Sequence, residues 1–314
     1  MHSARVVLLG PQRLHRTLSH AVDSLRAHGM VAAVTAGWEE REGEDQEMRE
    51  HLGGRTVNLR IWERAEDVMA RDPELARALR DRQDRLREQH ELYRMRLVHA
   101  IEAARELLRR EPTPGREEML EAERAGAIEA VRDLDEFHLR RVSLIHREFE
   151  AEWVPVERDA VARHRHELAQ ILDTCECVCV AGGHVVVLLH RLRLFDALQI
   201  FGHRPIVAWS AGAMALSERV VLFHDSPPQG QGVAELYDEG LGAYGGVLPF
   251  PHAKKRLRLH DQRRITLLAR RFAPDRCIAL DPMTRMDWDG HRWHGEPGTL
   301  RMHEDGMLVQ AGTP

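Results

Sequence analysis

Pro205-Ile206-Val207-Ala208-Trp209-Ser210-Ala211-Gly212-Ala213 reads as an apolar strand that delivers a serine into the start of a helix. Small residues, Ala208 and Gly212, flank the serine at two positions on either side. A chain can turn sharply from strand into helix only where such neighbours leave room. The turn exposes the hydroxyl above the sheet, where backbone N–H groups at a helix start favour developing negative charge. The stretch therefore predicts an α/β fold with Ser210 as a nucleophile.

The flanking sequence carries the same rhythm. Residues 5–9 form a short apolar run ending at Gly10-Pro11, residues 14–28 have helical periodicity and stop at Gly29, and residues 30–35 are apolar again. Strand–helix–strand order predicts a mostly parallel sheet flanked by helices. Residues 177–181 read as a strand running into Gly182-Gly183, and residues 277–281 as another. Asp289-Gly290 and Asp305-Gly306 each signal a hairpin. Cys175, Cys177 and Cys179 alternate and should share one strand face as small apolar residues. They lack the spacing of a metal knuckle or a disulfide framework.

Between these blocks, residues 61–170 differ in character. Charged residues make up 30% of the chain, above the usual quarter, and this block holds the excess. Leu79, Leu86, Tyr93, Ala100 and Leu107 recur every seven residues, which predicts a long amphipathic helix with a narrow seam. Pro112-Thr113-Pro114-Gly115 breaks it, and a second helix follows with Ile128, Val131, Leu134, Val142, Ile145 and Phe149 on its apolar side. The block is read as a helical hairpin about 50 Å long, inserted into a core made of residues 1–60 and 171–314. It could serve as a dimerisation arm or as a lid. A net charge of −5 gives no bulk signature for nucleic acid. No 18-residue apolar run suggests a membrane span. The apolar residues 6–9 are too few for a signal-peptide core, so a cytoplasmic location is expected.

A serine nucleophile needs a base. His252 stands out among 20 histidines because it follows a glycine-rich loop, 240–246, and a short strand stiffened by Pro249 and Pro251. Gly182-Gly183 ends a strand where the ligand crevice of a parallel sheet opens, and could let N–H groups approach a substrate oxygen. Lys254, Lys255, Arg256 and Arg258 follow His252 and would suit an acidic substrate group or a solvated helix start.

Together these segments resemble peptidase family S51, the serine peptidases that include dipeptidase E (aspartyl dipeptidase) and cyanophycinase. The matching segments are Val180-Ala181-Gly182-Gly183, Ala208-Trp209-Ser210-Ala211-Gly212-Ala213, Gly240-Leu241-Gly242 through Pro251-His252, and Ile278-Ala279-Leu280-Asp281. The resemblance implies a fold like that of class I glutamine amidotransferases. It implies Ser210 as nucleophile, His252 as base, and the N–H groups of Gly183 and Ala211 as the oxyanion hole. Asp225, fifteen residues after the serine as in the dipeptidase E branch, would orient His252, with Asp281 as the fallback. Gly182, His184 and Arg256 would line the substrate. No cofactor is implied, only a small peptide or amide substrate, and the hairpin would mediate a homo-oligomer. The chain departs from the pattern at His184, where the family has Asn, at Ala208, where it has Gly, and at Ala253-Lys254-Lys255-Arg256. A catalytically altered scaffold acting through the hairpin is the competing reading. An amidotransferase is a weaker one, because no cysteine stands at the elbow.

Overall fold

The computed structural model describes residues 4–225 and 232–312. The N-terminal part runs β1 (Val6–Leu9), α1 (Leu18–Ser24), β2 (Met30–Val34), a 3-10 turn (Ala36–Arg41), α2 (Gln46–His51), β3 (Thr56–Asn58) and α3 (Ile61–Arg71). Two long helices follow, α4 (Pro73–Arg109) and α5 (Glu117–Trp153). The chain then returns through α6 (Asp159–Leu172), β4 (Cys175–Val180), α7 (Val185–Leu194), α8 (Ala197–Phe201), β5 (Ile206–Trp209) and α9 (Ala211–Leu216). The last part comprises β6 (Arg219–Leu222), β7 (Glu235–Glu239), β8 (Val247–Pro251), α10 (Ala253–Arg256), α11 (Gln262–Phe272) and β9 (Arg276–Leu280). It ends with β10 (Arg285–Trp288), β11 (Trp293–Gly295), β12 (Leu300–Met302) and β13 (Leu308–Gln310).

The main sheet has the order β11-β10-β1-β5-β4-β2-β3. Its five strands from β1 to β3 are parallel, and β10 and β11 add an antiparallel edge. The parallel strands are nearly continuous apolar runs because helices cover both faces. A second sheet, β13-β12-β9-β8, carries the expected hairpin at Asp305-Gly306, and the β10–β11 pair carries the one at Asp289-Gly290. The fold is thus α/β with a mostly parallel sheet and a long helical insertion. No helix among the described residues is long and apolar enough to cross a membrane.

Three local expectations shift. α1 is shorter than residues 14–28, because the Gln12 side chain accepts from Thr17 N–H at 2.7 Å and holds the preceding loop, leaving Leu14 exposed. Cys177 and Cys179 share an apolar cluster, but Cys175 packs on the opposite one, where the β2–β4 register shifts between Met30 and Val31. The inserted block also has different edges: α3 packs on the 3-10 turn and α7, and α6 on β4 and α8. Only α4 and α5 project as the hairpin, each about 55 Å long.

The hairpin's apolar side is used within the chain. The strict seven-residue seam slips along α4: Leu86, Tyr93 and Leu97 are buried, but the next buried positions are Ile101 and Ala104, with Ala100 and Leu107 only partly covered. A straight helix drifts by about 20° per heptad, so the buried stripe follows the 3.6-residue period. On α5 all six expected apolar residues are buried. Both helices pack on each other and on β7 and α11.

A polar cluster sits inside that contact. Arg271 of α11 donates to both carboxylate oxygens of Asp135 on α5, at 2.6 and 2.7 Å, and to the Ala234 carbonyl at 2.7 Å. The Tyr93 hydroxyl donates to Asp135 at 2.7 Å and accepts from Arg271 at 3.0 Å and from Leu236 N–H at 3.2 Å. Asp135 and Arg271 are both buried. The His138 ring stacks on Tyr93 at 4.0 Å, and burial pushes its pKa down to about 4.

Removing one partner of such a pair strands the other charge. Asp135→Ala should therefore lower unfolding stability by about 3–5 kcal/mol in denaturant titration. A loss under about 1 kcal/mol would mean that the cluster does not hold the hairpin. His138 gives a second expectation. The unfolded chain binds its proton near pH 6.5 and the folded chain only near 4, so stability should fall as pH drops through that window. In His138→Phe the same pH series should be flatter; an unchanged slope would count against this assignment.

Candidate active site

The register of the central strands sets the site. In the β4–β5 pair Val180 lies opposite Ala208, so the residues two places further on, Gly182 and Ser210, emerge side by side at the carboxyl ends. This is the edge where open α/β sheets bind ligands. Ser210 takes φ 52° and ψ −124°, a backbone conformation that L residues rarely adopt. Two glycines make room for it. A Cβ on Gly182 would lie 2.7 Å from the Ser210 Cβ, and one on Gly212 would lie 2.3 Å from the Val180 carbonyl oxygen. Gly183 has φ +123°, and a Cβ there would lie 2.2 Å from the Gly37 carbonyl oxygen. Among the described residues, neither Gly183 N–H nor Ala211 N–H donates a hydrogen bond. Two backbone donors therefore stand unused beside the serine.

His252 follows β8 and also has a left-handed backbone, with φ 55°. Its N–H donates to the Leu280 carbonyl at 3.0 Å, which fixes the turn against β9. The ring is half-buried. Burial and then the Arg256 guanidinium hold its pKa below the ordinary value, while Asp281 acts in the opposite direction. Asp281 follows β9, is buried, and accepts from Lys254 N–H at 3.0 Å. Burial raises its own pKa.

Asp225 stands elsewhere, contrary to its expected place on His252. One carboxylate oxygen accepts from Arg264 at 2.5 Å and the other from Arg258 N–H at 2.9 Å. A permanently charged guanidinium is a stronger partner for a carboxylate than a neutral imidazole. Asp281, the fallback, raises the His252 pKa through its charge, and its carboxylate takes its hydrogen bond from Lys254 N–H.

Gly182, Gly183, Ser210, Ala211, His252 and Arg256 all line one cavity of about 1470 Å³. Among the described residues, Ser210 Oγ and the His252 ring are not hydrogen-bonded to each other. His184, the third expected substrate residue, caps α7 instead: its Nδ1 accepts from Val187 N–H at 3.3 Å. Sequence reading missed one wall. Arg94, Val98, Glu102 and Arg105 of α4 line the same cavity. Their spacing of 4, 4 and 3 is a helical stripe, but a mostly polar one that hydrophobic periodicity does not register.

Neither a protein-family profile nor a curated protein matches the chain. Among solved structures it is similar to a peptidase from an acI-B1 Actinobacterium, with 14% identity and a TM-score of 0.48 over 99% of this chain and 95% of that one. It is also similar to a candidate peptidase E protein from Listeria monocytogenes EGD-e, with 10% identity and a TM-score of 0.41 over 93% and 98% of the two chains.

The environment of His252 is open to measurement. In an NMR titration its ring should have a midpoint below 6.5, remaining neutral at lower pH than a free imidazole does. Arg256→Ala should raise the midpoint and Asp281→Asn should lower it further. A wild-type midpoint above 6.5, or shifts of the opposite sign, would overturn this account.

Proposed function

We propose that the protein is a serine hydrolase that cleaves a peptide or amide bond, in the manner of the dipeptidase E family. The observation that carries this reading is the strained Ser210 turn, which lines one cavity with His252 and two unused N–H donors. Strain at a non-glycine residue, costing on the order of 1–3 kcal/mol, persists where the surroundings over-determine it, and such positions cluster at active sites.

In this mechanism Ser210 Oγ attacks the substrate carbonyl while His252 takes its proton. The new oxyanion is held by Gly183 and Ala211 N–H. The tetrahedral species collapses to an acyl-serine as His252 returns the proton to the leaving amine. Water, deprotonated by the same histidine, then releases the acid and regenerates Ser210. The hydrogen bond between His252 and Ser210 forms as substrate orders the site. Asp281 is the carboxylate that stabilises the imidazolium, and Asp225 secures the loop after β6 through Arg264. No metal or cofactor takes part in this proposal. The lowered His252 pKa keeps the base form available in mildly acidic solution.

A fluorophosphonate probe should label the wild-type protein at Ser210, and Ser210→Ala should abolish labelling. The labelling rate should fall only at a pH below 6.5, with the His252 midpoint. Labelling that survives Ser210→Ala, or that is absent from the folded wild type, would defeat the proposal.

A further inference from the structure

We propose that Arg105, on the inserted hairpin, is a specificity-determining residue that receives a substrate carboxylate carried away from the scissile bond. In calling the ligand a substrate, the inference rests on the hydrolase reading above.

The stripe that α4 turns to the cavity holds two cations, and they differ in kind. Arg94 is largely exposed and paired with Glu235 at 3.0 Å. The Arg105 side chain keeps only 13% of its exposure. Its nearest carboxylate is Glu102 at 3.9 Å, beyond hydrogen-bond reach, and Glu102 is itself largely solvated and also lies 3.7 Å from Arg109. Among the described residues the Arg105 guanidinium makes no hydrogen bond, although it carries five N–H donors.

The surroundings increase the imbalance. Arg264 and Arg109 both add positive potential at Arg105, and burial, the largest influence, disfavours its charge. Asp225 is close enough to act on it, but both Asp225 oxygens already accept hydrogen bonds, from Arg264 and from Arg258 N–H. A desolvated cation is costly unless it is paired and hydrogen-bonded. Here the donors without a partner among the described residues belong to a partly buried residue that lines the cavity holding Ser210 and also a smaller pocket beside Asp225 and Arg264. A guanidinium matches a carboxylate with two parallel hydrogen bonds, which identifies the missing group by its chemistry.

Size indicates where that carboxylate sits. Pockets for small ligands usually enclose about 300–1000 Å³, and this cavity has about 1470 Å³. The proposed ligand reaches from Ser210 on the body to Arg105 on the hairpin, both of which line this cavity. The ligand class is therefore a peptide or acyl-amide several residues long, with an acidic group remote from the reacting carbonyl.

The test is binding to Ser210→Ala, which keeps the cavity and prevents turnover, measured by calorimetry. The probes are pentapeptides in matched pairs: free C-terminal acid against amide, and internal Glu against Gln. At least one carboxylate form should bind ten-fold or more tightly than its neutral match. The pair that shows the preference identifies the source of the carboxylate. Adding Arg105→Gln should erase the preference, and Arg105→Lys, which keeps the charge but loses the fork, should retain part of it. If the Gln variant does not fold, the partial loss in the Lys variant decides the matter. Equal binding of both forms, a preference unchanged in the variants, or no binding of any probe would overturn the inference. Fluorophosphonate labelling of the wild type separates the two proposals. Labelling without a carboxylate preference removes Arg105 alone. A preference without labelling removes the hydrolase reading and leaves Arg105 as an anchor for a bound acid.

Discussion

The buried Arg271–Asp135 pair fixes where the hairpin lies, and the shape of the cavity follows from that placement. Arg271 comes from α11 in the body and Asp135 from α5, and Tyr93 of α4 closes the cluster. The Arg271 guanidinium, the Asp135 carboxylate and the Tyr93 hydroxyl each meet partners of fixed direction, so a slide of one helical turn would break several hydrogen bonds at once. Apolar packing alone would tolerate such a slide far better, because it is non-directional. The pair contributes little net stability over a well-packed apolar alternative, but a misdocked hairpin would leave both charges unpaired in the interior. The ordered position of α4 carries Arg94, Val98, Glu102 and Arg105 to the mouth of the sheet.

A second constraint acts at the sheet itself. The β4–β5 register brings Gly182 against Ser210, and the turn can close only because Gly182 and Gly212 carry no Cβ. The strained serine, the bare Gly183 N–H and the adjacent Ala211 N–H therefore have one cause. His252 reaches the same cavity from a different sheet, through a left-handed turn pinned to β9. The serine, the histidine and the two N–H donors are thus held by strand ends, which move less than loops do.

Some of this was legible from sequence because the signals are local. The Ser210 turn, the Gly182-Gly183 strand end, the stiff strand before His252 and both Asp-Gly hairpins depend on residues within a few positions of one another. The α/β class and the long hairpin were legible through periodicity. Partner choice was not. A fifteen-residue offset from Ser210 says nothing about Arg264, which lies 39 residues beyond Asp225 and takes its carboxylate. His184 was misplaced for a similar reason, since its ring met the open N–H groups of its own helix first. The heptad seam failed at Ala100 because a straight helix packed on a body need not keep the 3.5-residue repeat of two supercoiled helices.

The same geometry weighs against a purely scaffolding hairpin. A scaffold arm would place its apolar seam outward for a partner and keep its polar faces solvated. Here the seam is consumed within the chain: most of it joins the core of the α/β body, and Leu86, Val142 and Ile145 form a separate apolar cluster between the two helices. One polar stripe is turned inward to a cavity that also holds a strained serine and a histidine. That stripe includes a partly buried arginine that makes no hydrogen bond among the described residues and whose nearest carboxylate, Glu102, lies 3.9 Å away, which is hard to account for in a surface that only supports another protein. An insertion that lines the cavity of the strained serine turn and presents a cation there would, under the proposed hydrolase reading, alter which molecules can reach that turn. Under that proposed reading, the hairpin would act on substrate selection, and the chemistry would remain with the strand ends of the body.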